Sequence, residues 1–370
     1  MLNVLIKKDP SWIHAENKKS FLWFKGYLHN KSLDQLLKDL VDLELETLTD
    51  YLSDLEGHFA FIFQNDESTI AVVDRVRSIP IFYNKNEVGS NPIFLSDNKS
   101  INQKATLSFN MAGYTIGEDT LYSELKCLNA GQCLINNQDN FQRSNYHRYQ
   151  PWLPSRKDCT TEELAKVTIE ILEKMIISLN GRQIIIPLTA GNDSRLIASG
   201  LKHLGYQNVK CYSYGIPGNF EAGVAKIVSE KLGYDFKFIP LNLGDEIKFY
   251  RSNEFKEYLS FAETLLSVPY FQSLSTIPRL KNWIDKDAVF VNGQSGDFIS
   301  GGHISSGFLN NRVRTDKERL NIVNSANIEK NFSLWGILKT DRNIKEITNQ
   351  LINEIPAKLN EVENDHALYE

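Results

Sequence analysis

The chain has 370 residues, of which 42% are apolar and 24% are charged. One hydrophobic core rarely organises a chain of this length, so two domains are expected. The 41 basic and 46 acidic residues give a formal net charge of −5. This balance argues against a nucleic-acid partner, which normally needs a concentrated basic surface.

The four cysteines, Cys127, Cys133, Cys159 and Cys211, are too few and too irregularly spaced for a disulfide framework, and none forms a CxxC pair. No apolar run approaches the roughly 20 residues that a membrane-spanning helix needs. The amino-terminal segment also lacks the continuous apolar stretch of a secretory signal. We therefore expect a cytoplasmic protein without a membrane partner.

The first half of the chain is predicted to contain short strands and one helical stretch near residues 32–49. Residues 58–83 alternate apolar and polar positions and turn at Asn65-Asp66, which predicts a β-hairpin. Further strands are expected at residues 92–95 and around residues 131–135. This mixture predicts an α+β layered domain.

A linker is expected at residues 146–158, which carry two prolines and no hydrophobic period. Thr160 and Glu163 are then predicted to form a capping box, followed by a helix with one apolar face. The apolar positions of that face are Leu164, Ile171, Leu172, Met175, Ile176 and Leu179. Further strands are expected at residues 183–188, 209–214, 235–241 and 288–291, with intervening helices that end at Gly205 and Gly233.

Strands that alternate with helices predict a doubly wound parallel α/β sheet, because parallel neighbours need a crossover connection. The predicted fold is therefore an α+β domain over residues 1–150, followed by an α/β domain over residues 151–370. Ligands of such parallel sheets bind beyond the carboxyl ends of the strands.

Residues 187–195 follow the first predicted strand of this sheet and form the most informative motif. Small residues there leave backbone N–H groups uncovered at a helix start, where the helix dipole adds positive potential. Thr189 and Ser194 can donate hydroxyls to phosphate oxygens, whereas Asp193 repels phosphate unless a cation lies between them. The motif predicts a phosphate site with Mg²⁺; an ordinary helix N-cap is the alternative.

Two further strand ends carry candidate residues. Residues 292–303 surround Asp297 with four glycines, and we expect Asp297 to meet Asp193 on one cation; a surface loop is the alternative. Gly215 would let the backbone approach a flat ligand such as adenine, which Tyr214 would cover. An ordinary strand exit is the alternative there.

These motifs resemble those of asparagine synthetases, whose synthetase domain is an N-type ATP pyrophosphatase. Residues 189–194, TAGNDS, are similar to the S-G-G-x-D-S pyrophosphate loop, and residues 292–303 to the segment S-G-E-G-x-D-E-x-F-G-G-Y. In the first half, residues 54–61, DLEGHFAF, resemble D-L-x-G-x-F-A-F. Further similarities, in the family's order, lie at Asp74-Arg75, residues 80–83, Gly113-Tyr114, Gly131 and residues 212–218.

The resemblance implies an Ntn-hydrolase-like glutamine amidotransferase domain followed by an adenine nucleotide α-hydrolase-like domain. It implies a ligase that uses ATP and Mg²⁺ to adenylate a small-molecule carboxylate, releases pyrophosphate and forms an amide with ammonia. The acid would be aspartate or a carboxylated sugar of polysaccharide synthesis. By position, the nucleotide-binding residues would be Leu188, Thr189, Ala190, Gly191, Asn192, Asp193, Ser194, Tyr214, Gly215, Asn292 and Gly293.

Catalytic and substrate roles follow from the same resemblance. Asp193 and Asp297 match the carboxylates that hold Mg²⁺, and these two with Ser194 are the predicted catalytic residues. Arg195 and His303 are candidate substrate contacts. For each of the latter two, a purely structural arginine or histidine is the alternative.

The sequence departs from the family in three places. Leu2 stands where glutamine-dependent members have a cysteine nucleophile, which predicts no glutaminase activity and ammonia from solution or from a separate glutaminase. Phe298 replaces a carboxylate, so the amidation base is unassigned. The family's late lysine has no equivalent, which suggests a truncated or degenerate member.

The alternative function is therefore a catalytically degenerate nucleotide-binding scaffold subunit. Sulfur transfer to nucleic acid is a third hypothesis, which the missing CxxC pairs and the acidic charge disfavour. The sequence does not fix the oligomeric state, and a homodimer stays open.

Overall fold

The computed structural model describes residues 1–6, 9–17, 19–95, 100–137, 140–150, 160–294, 296, 304, 308, 314–355, 362 and 365–369. The described strands are β1 (Asn3–Leu5), β2 (Trp12–Asn17), β3 (Ser20–Leu28), β4 (Gly57–Gln64), β5 (Ser68–Val73), β6 (Phe82–Tyr83), β7 (Glu87–Gly89), β8 (Lys126–Cys127), β9 (Gln132–Asn137), β10 (Phe141–Asn145), β11 (Ile184–Pro187), β12 (Val209–Gly215), β13 (Asp235–Pro240) and β14 (Val289–Phe290). The described α-helices are α1 (Leu33–Asp42), α2 (Leu48–Ser53), α3 (Gln103–Ala112), α4 (Thr161–Leu179), α5 (Asn192–His203), α6 (Phe220–Leu232), α7 (Leu243–Tyr250), α8 (Asn253–Ala262), α9 (Ile277–Leu280), α10 (Asp316–Asn331), α11 (Asp341–Glu354) and α12 (Asp365–Tyr369).

The chain divides into two compact units. The first comprises Met1–Pro154, Glu263–Val268 and Ser305–Glu370, and the second comprises Ser155–Ala262 and Pro269–Ile304. No described helix is long and apolar enough to cross a membrane.

The first unit is built on two sheets. The larger is antiparallel, with strand order β10-β9-β5-β4-β3-β2, and the smaller has the order β1-β7-β6-β8. The predicted hairpin is β4 and β5, where the Asn65 side chain accepts hydrogen bonds from the N–H groups of Glu67 and Ser68 at 3.0 and 2.8 Å. The strand predicted near residue 133 is β9.

Apolar side chains cover both faces of the larger sheet. On one face Phe61 and Val72 pack against Leu36 of α1 and Leu52 of α2. On the other face a second cluster includes residues of both sheets. The helical stretch predicted near residues 32–49 is therefore confirmed as α1 and α2, and the α+β layering agrees with the prediction.

The strand predicted at residues 92–95 is wrong. These residues form a turn, because the Asn91 side chain accepts a hydrogen bond from the N–H of Ile93 at 2.9 Å and its carbonyl accepts one from Phe94 at 3.3 Å. Ile93 and Phe94 are exposed. Their apolar character therefore does not reflect a buried strand.

The predicted linker begins inside the first unit. Tyr146 is buried and its hydroxyl donates to the carbonyl of Val73 at 2.7 Å. Residues 151–159 lie outside the described residues, so the remainder of the linker stays a prediction.

The carboxyl-terminal helices group with the first unit, although the sequence placed residues 305–370 in the second domain. Ile328 of α10, Phe332 and Ile347 of α11 form a buried cluster with Met111 of α3. This packing joins segments that are far apart in the chain, and no local pattern could indicate it.

The second unit contains a parallel sheet with strand order β13-β12-β11-β14. The predicted parallel sheet is thus confirmed, and α6 ends at Gly233 as expected. Leu179, Ile186, Ala198 and Cys211 belong to one buried cluster on a face of this sheet.

Helix α4 begins with the predicted capping box of Thr160 and Glu163. Its predicted apolar face is only partly covered, because Leu172 and Leu179 are buried but Leu164 and Ile171 are 50% and 58% exposed. The carboxyl-terminal half of α4 contributes to the core, whereas the buried face does not extend to the amino-terminal half. Periodicity had indicated one continuous buried face.

Candidate functional site

The turn between β11 and α5 leaves the sheet at a firmly anchored point. Leu188 is fully buried and its N–H donates to the carbonyl of Tyr212 on β12 at 2.8 Å. Thr189, Ala190 and Gly191 then form the turn, and α5 begins at Asn192. The predicted phosphate motif therefore lies at the carboxyl end of a central strand.

The start of α5 has no side-chain cap. Gly191 is the N-cap residue, with extended φ and ψ of −68° and 155°, and it carries no side chain that could accept a hydrogen bond. The first N–H groups of a helix have no partner within the helix. Because the N-cap residue Gly191 does not cap them, these groups and the helix dipole fit an anion.

Two hydroxyls hold the turn from its buried side. The N–H of Thr189 donates to Ser194 Oγ at 3.2 Å, and the two hydroxyl oxygens are 3.2 Å apart. The N–H of Gly191 donates to Thr189 Oγ1 at 3.1 Å. Because the contact between the hydroxyls uses one of their two protons, the second proton has no acceptor within the described part of the chain and could be donated to a ligand.

Arg195 contacts the turn itself. Its Nε donates to the carbonyl of Gly191 at 3.1 Å, and its Nη2 donates to Asn192 Oδ1. The structure thus gives this predicted substrate contact two partners within the motif.

The second predicted motif follows the strand next to β11. Ile184 and Ile185 of β11 pair with Val289 and Phe290 of β14 in a parallel register. The N–H of Val291 donates to the carbonyl of Ile185 at 3.0 Å. The loops after β11 and β14 therefore leave the same edge of the sheet from neighbouring strands.

These two loops meet at Asp193. A Cβ on Gly293 would lie 2.7 Å from both Asp193 Cβ and the Ser194 nitrogen, and one on Gly296 would overlap the Asp193 carboxyl group. A side chain at Gly293 would require the backbone to move, and one at Gly296 would require the Asp193 side chain or the loop to shift. Gly296 was not among the predicted site residues; the glycine spacing Gly293-x-x-Gly296 is the signal that could have identified it.

Asp297 directly follows Gly296 but lies outside the described residues, as do Phe298 and His303. The predicted pairing of Asp297 with Asp193 on one cation, and the substrate contact of His303, therefore stay predictions. Within the described part of the chain, no group of three or more His, Cys, Asp or Glu side chains forms a metal cluster. The first-turn N–H groups of α5 and the hydroxyls of Thr189 and Ser194 fit phosphate. The described residues also supply one carboxylate, Asp193, that fits Mg²⁺.

The carboxyl end of β12 is the third strand end at this edge of the sheet, beside those of β11 and β14. Gly215 has φ of +137°, a conformation that favours glycine, and a Cβ there would lie 2.9 Å from Asn219 Nδ2. The Tyr214 ring lies 6.3 Å from the Tyr212 ring. Burial, together with Tyr270, raises the pKa of the Tyr214 hydroxyl to about 12, so this hydroxyl stays neutral at physiological pH.

The described cysteines of the first unit are poor nucleophiles. Cys127 and Cys133 are buried, and this burial raises the pKa of both thiols to about 11. Leu2 is also buried, in the cluster on the face of the larger sheet that does not pack against α1 and α2. Thiolate is the reactive form of cysteine, so neither described thiol is suited to attack glutamine.

No family model matches the chain, and no curated protein matches it. Similarity to solved structures is weak. A glutamine phosphoribosylpyrophosphate amidotransferase from B. subtilis, complexed with ADP and GMP, is 13% identical with a TM-score of 0.23, over 68% of this chain and 52% of that one. The chain thus spans about half the length of that enzyme.

Two further structures show a similar level of likeness. One, described as the allosteric regulatory enzyme of purine biosynthesis, is 12% identical with a TM-score of 0.22, over 64% of this chain and 72% of that one. An NH3-dependent NAD synthetase from Campylobacter jejuni, in complex with nitrate, is 13% identical with a TM-score of 0.27, over 54% of this chain and 89% of that one. Because TM-scores this low reflect poor superposition, the proposals for this chain rest on its own residues.

Proposed function

We propose that the second unit binds ATP at the carboxyl ends of β11, β12 and β14 and adenylates a small-molecule carboxylate. The observation that carries this proposal is the close approach of Gly293 and Gly296 to Asp193 at the uncapped start of α5. A carboxylate, a helix start that its N-cap residue does not cap and a second loop with glycines at 293 and 296 thus lie at one sheet edge, and parallel sheets bind their ligands at such an edge.

In this reaction a substrate carboxylate oxygen attacks the α-phosphorus, and the bond to pyrophosphate breaks. Ammonia then attacks the acyl carbon, AMP leaves, and an amide remains. The leaving pyrophosphate gathers negative charge, which the first-turn N–H groups of α5 and the spare hydroxyl proton of Thr189 and Ser194 would stabilise. Tyr214 and Gly215 would lie beside adenine, and Asn292 beside the nucleotide.

Asp193 is the described residue that would hold Mg²⁺, with Asp297 as its proposed partner. When bound, Mg²⁺ would supply charge neutralisation for the phosphate oxygens. Without it, the Asp193 carboxylate would repel phosphate in a cradle otherwise built for anions.

The nitrogen source is proposed to be free ammonia or a separate glutaminase. The high pKa of the buried Cys127 and Cys133 thiols supports this choice. The first unit would then keep an amidotransferase-like layered architecture without hydrolysing glutamine. Aspartate and carboxylated sugars are the proposed acids, and the cytoplasm the proposed location.

Exchange of labelled pyrophosphate into ATP, measured with Mg²⁺ and a panel of carboxylic acids, tests adenylation. We expect exchange that depends on one acid and falls about 100-fold in Asp193→Asn. Asp235→Asn is the matched control, because Asp235 is exposed at the amino end of β13, opposite the sheet edge that carries the site. An equal fall in the exchange rate of Asp193→Asn and Asp235→Asn would contradict the assignment of Asp193.

A nucleotide-binding scaffold subunit is the second candidate function. The departures from the asparagine synthetase pattern favour it, because Leu2 stands at the position of the cysteine nucleophile and the late lysine has no equivalent. A scaffold would bind ATP in calorimetry but show no acid-dependent exchange. That combination, across a panel containing amino acids and uronic acids, would replace the ligase proposal.

A further inference from the structure

Arg195 lies in the first turn of α5, and its guanidinium group folds back over the turn before the helix. One nitrogen donates to the Gly191 carbonyl at 3.1 Å and another to the Asn192 side chain. Gly191 is the last residue before the helix and Asn192 the first within it. The guanidinium group therefore bridges the junction at which the uncapped N–H groups lie.

The turn needs support from more than one side. Ala190 and Gly191 carry no polar side chain that could fix the turn. On the buried side, Ser194 is 6% exposed and holds Thr189. On the opposite side, the contacts of Arg195 with Gly191 and Asn192 are exposed. The turn is thus held by an inner pair of hydroxyls and an outer arginine.

We propose that Arg195 is a positioning residue that fixes the turn in its anion-binding shape before the ligand arrives. The proposal rests on the proposed function, because it assigns Arg195 to the same phosphate site. Ordering the turn in the free protein removes part of the entropy cost that anion binding would otherwise carry. Arg195 acts through Gly191 and Asn192, and its own charge need not touch the phosphate.

The planar guanidinium group is essential to this role. It offers donors in a fixed fork, which reaches the Gly191 carbonyl and the Asn192 side chain together. The ammonium group of lysine is a single point charge on a flexible stem and does not reproduce this geometry. Arg195→Lys should therefore behave almost like Arg195→Ala if positioning dominates, and almost like the wild type if charge dominates.

The test is calorimetric titration of the full chain with inorganic pyrophosphate and, separately, with ATP, in the presence of Mg²⁺. The variants are Arg195→Ala, Arg195→Lys, Asn192→Ala and the double variant. We expect Arg195→Ala to weaken pyrophosphate binding about five- to tenfold, the effect of one or two hydrogen bonds. Arg195→Lys should recover little of this loss.

The double variant should bind no more weakly than Arg195→Ala, because Arg195 and Asn192 act as one unit. Lys202→Ala is the matched control, because Lys202 is a cation in the last turn of the same helix. It should leave pyrophosphate binding unchanged.

Full rescue by Arg195→Lys or additive losses in the double variant would each overturn the positioning role. So would unchanged binding in Arg195→Ala. A thermal melt of each variant shows whether it has folded, and the exposed Arg195 contacts should leave the melting temperature nearly unchanged. A wild-type chain that binds pyrophosphate but not ATP would overturn the proposed function alone, whereas binding of neither would overturn both.

Discussion

Helices α4 and α5 are neighbours in the second unit, but their amino-terminal ends are built in opposite ways. Thr160 closes α4 with a capping box, in which its side chain accepts from Glu163 and the Glu163 side chain accepts in return. Gly191 leaves the start of α5 without any side-chain cap. At the edge of the parallel sheet that carries the site, the uncapped start is particular to α5 among the described helices, because α6 and α7, which follow β12 and β13 there, are capped by the Asn219 and Asn242 side chains.

This difference is useful because a cap and a bound anion compete for the same N–H groups. A helix that keeps its first N–H groups free gives up some stability, typically about 1 kcal/mol for a lost cap. The turn before α5 compensates with contacts that leave those groups uncovered, from Ser194 on one side and Arg195 on the other.

Gly293→Ala should give the largest effect, because its Cβ would lie 2.7 Å from Asp193 Cβ and the Ser194 nitrogen at the open helix start. Displacement of the loop should lower acid-dependent pyrophosphate exchange about 100-fold. Gly223→Ala on α6 is the control, because a Cβ there meets nothing within 4 Å. Gly223→Ala should keep the full rate of pyrophosphate exchange and gain about 0.5–1 kcal/mol in unfolding free energy. A normal rate of pyrophosphate exchange in Gly293→Ala would show that the two loops need not touch.

Gly191→Asp should convert the open start into a capped one. Its backbone is extended, and a Cβ would lie 3.2 Å from Thr189 Oγ1, so the side chain fits with a small shift. We expect a gain in stability of a few tenths of a kcal/mol and about tenfold weaker ATP binding, since the carboxylate repels phosphate. Gly191→Ser, which caps without a charge, should gain similar stability and lose less affinity in the same titration. Unchanged ATP affinity in both would show that the first-turn N–H groups do not bind phosphate.

Thr160→Ala should open the closed start of α4, and its effect should be confined to stability. Loss of the capping box should lower the unfolding free energy by about 1 kcal/mol in urea denaturation. Thr161→Ala is the control, because Thr161 is exposed at the next position and is not part of the capping box. It should lower the unfolding free energy by less. ATP affinity should be the same in both, and a change in it would mean that α4 contributes to the site.

Local patterns predicted the elements that local interactions build. The hairpin turn at Asn65, the capping box at Thr160 and the helix end at Gly233 each depend on a few adjacent residues, and each was located from the sequence. The parallel sheet followed in the same way, because strand and helix periods alternate clearly after residue 183.

Other features were missed, because apolar composition and residue type do not show which side chains are buried or which residues meet. Ile93 and Phe94 have the composition of a strand, but Asn91 closes a turn there. Leu164 and Ile171 follow the helical period, although the buried face of α4 does not reach them. Asp193 and Gly293 are among the predicted site residues, whereas the contact of Gly296 with Asp193 was not predicted, although the spacing Gly293-x-x-Gly296 is a signal for it.

The cluster that joins Met111 to Ile328, Phe332 and Ile347 has a consequence for biosynthesis. A nascent chain emerging from the ribosome would carry α3 for more than two hundred residues before its partners exist. Met111 and its apolar neighbours would meanwhile be exposed to other proteins, and maturation of the first unit would wait until α10 and α11 have been synthesised. Chaperone dependence of the folding chain should accordingly persist until α11 has been released.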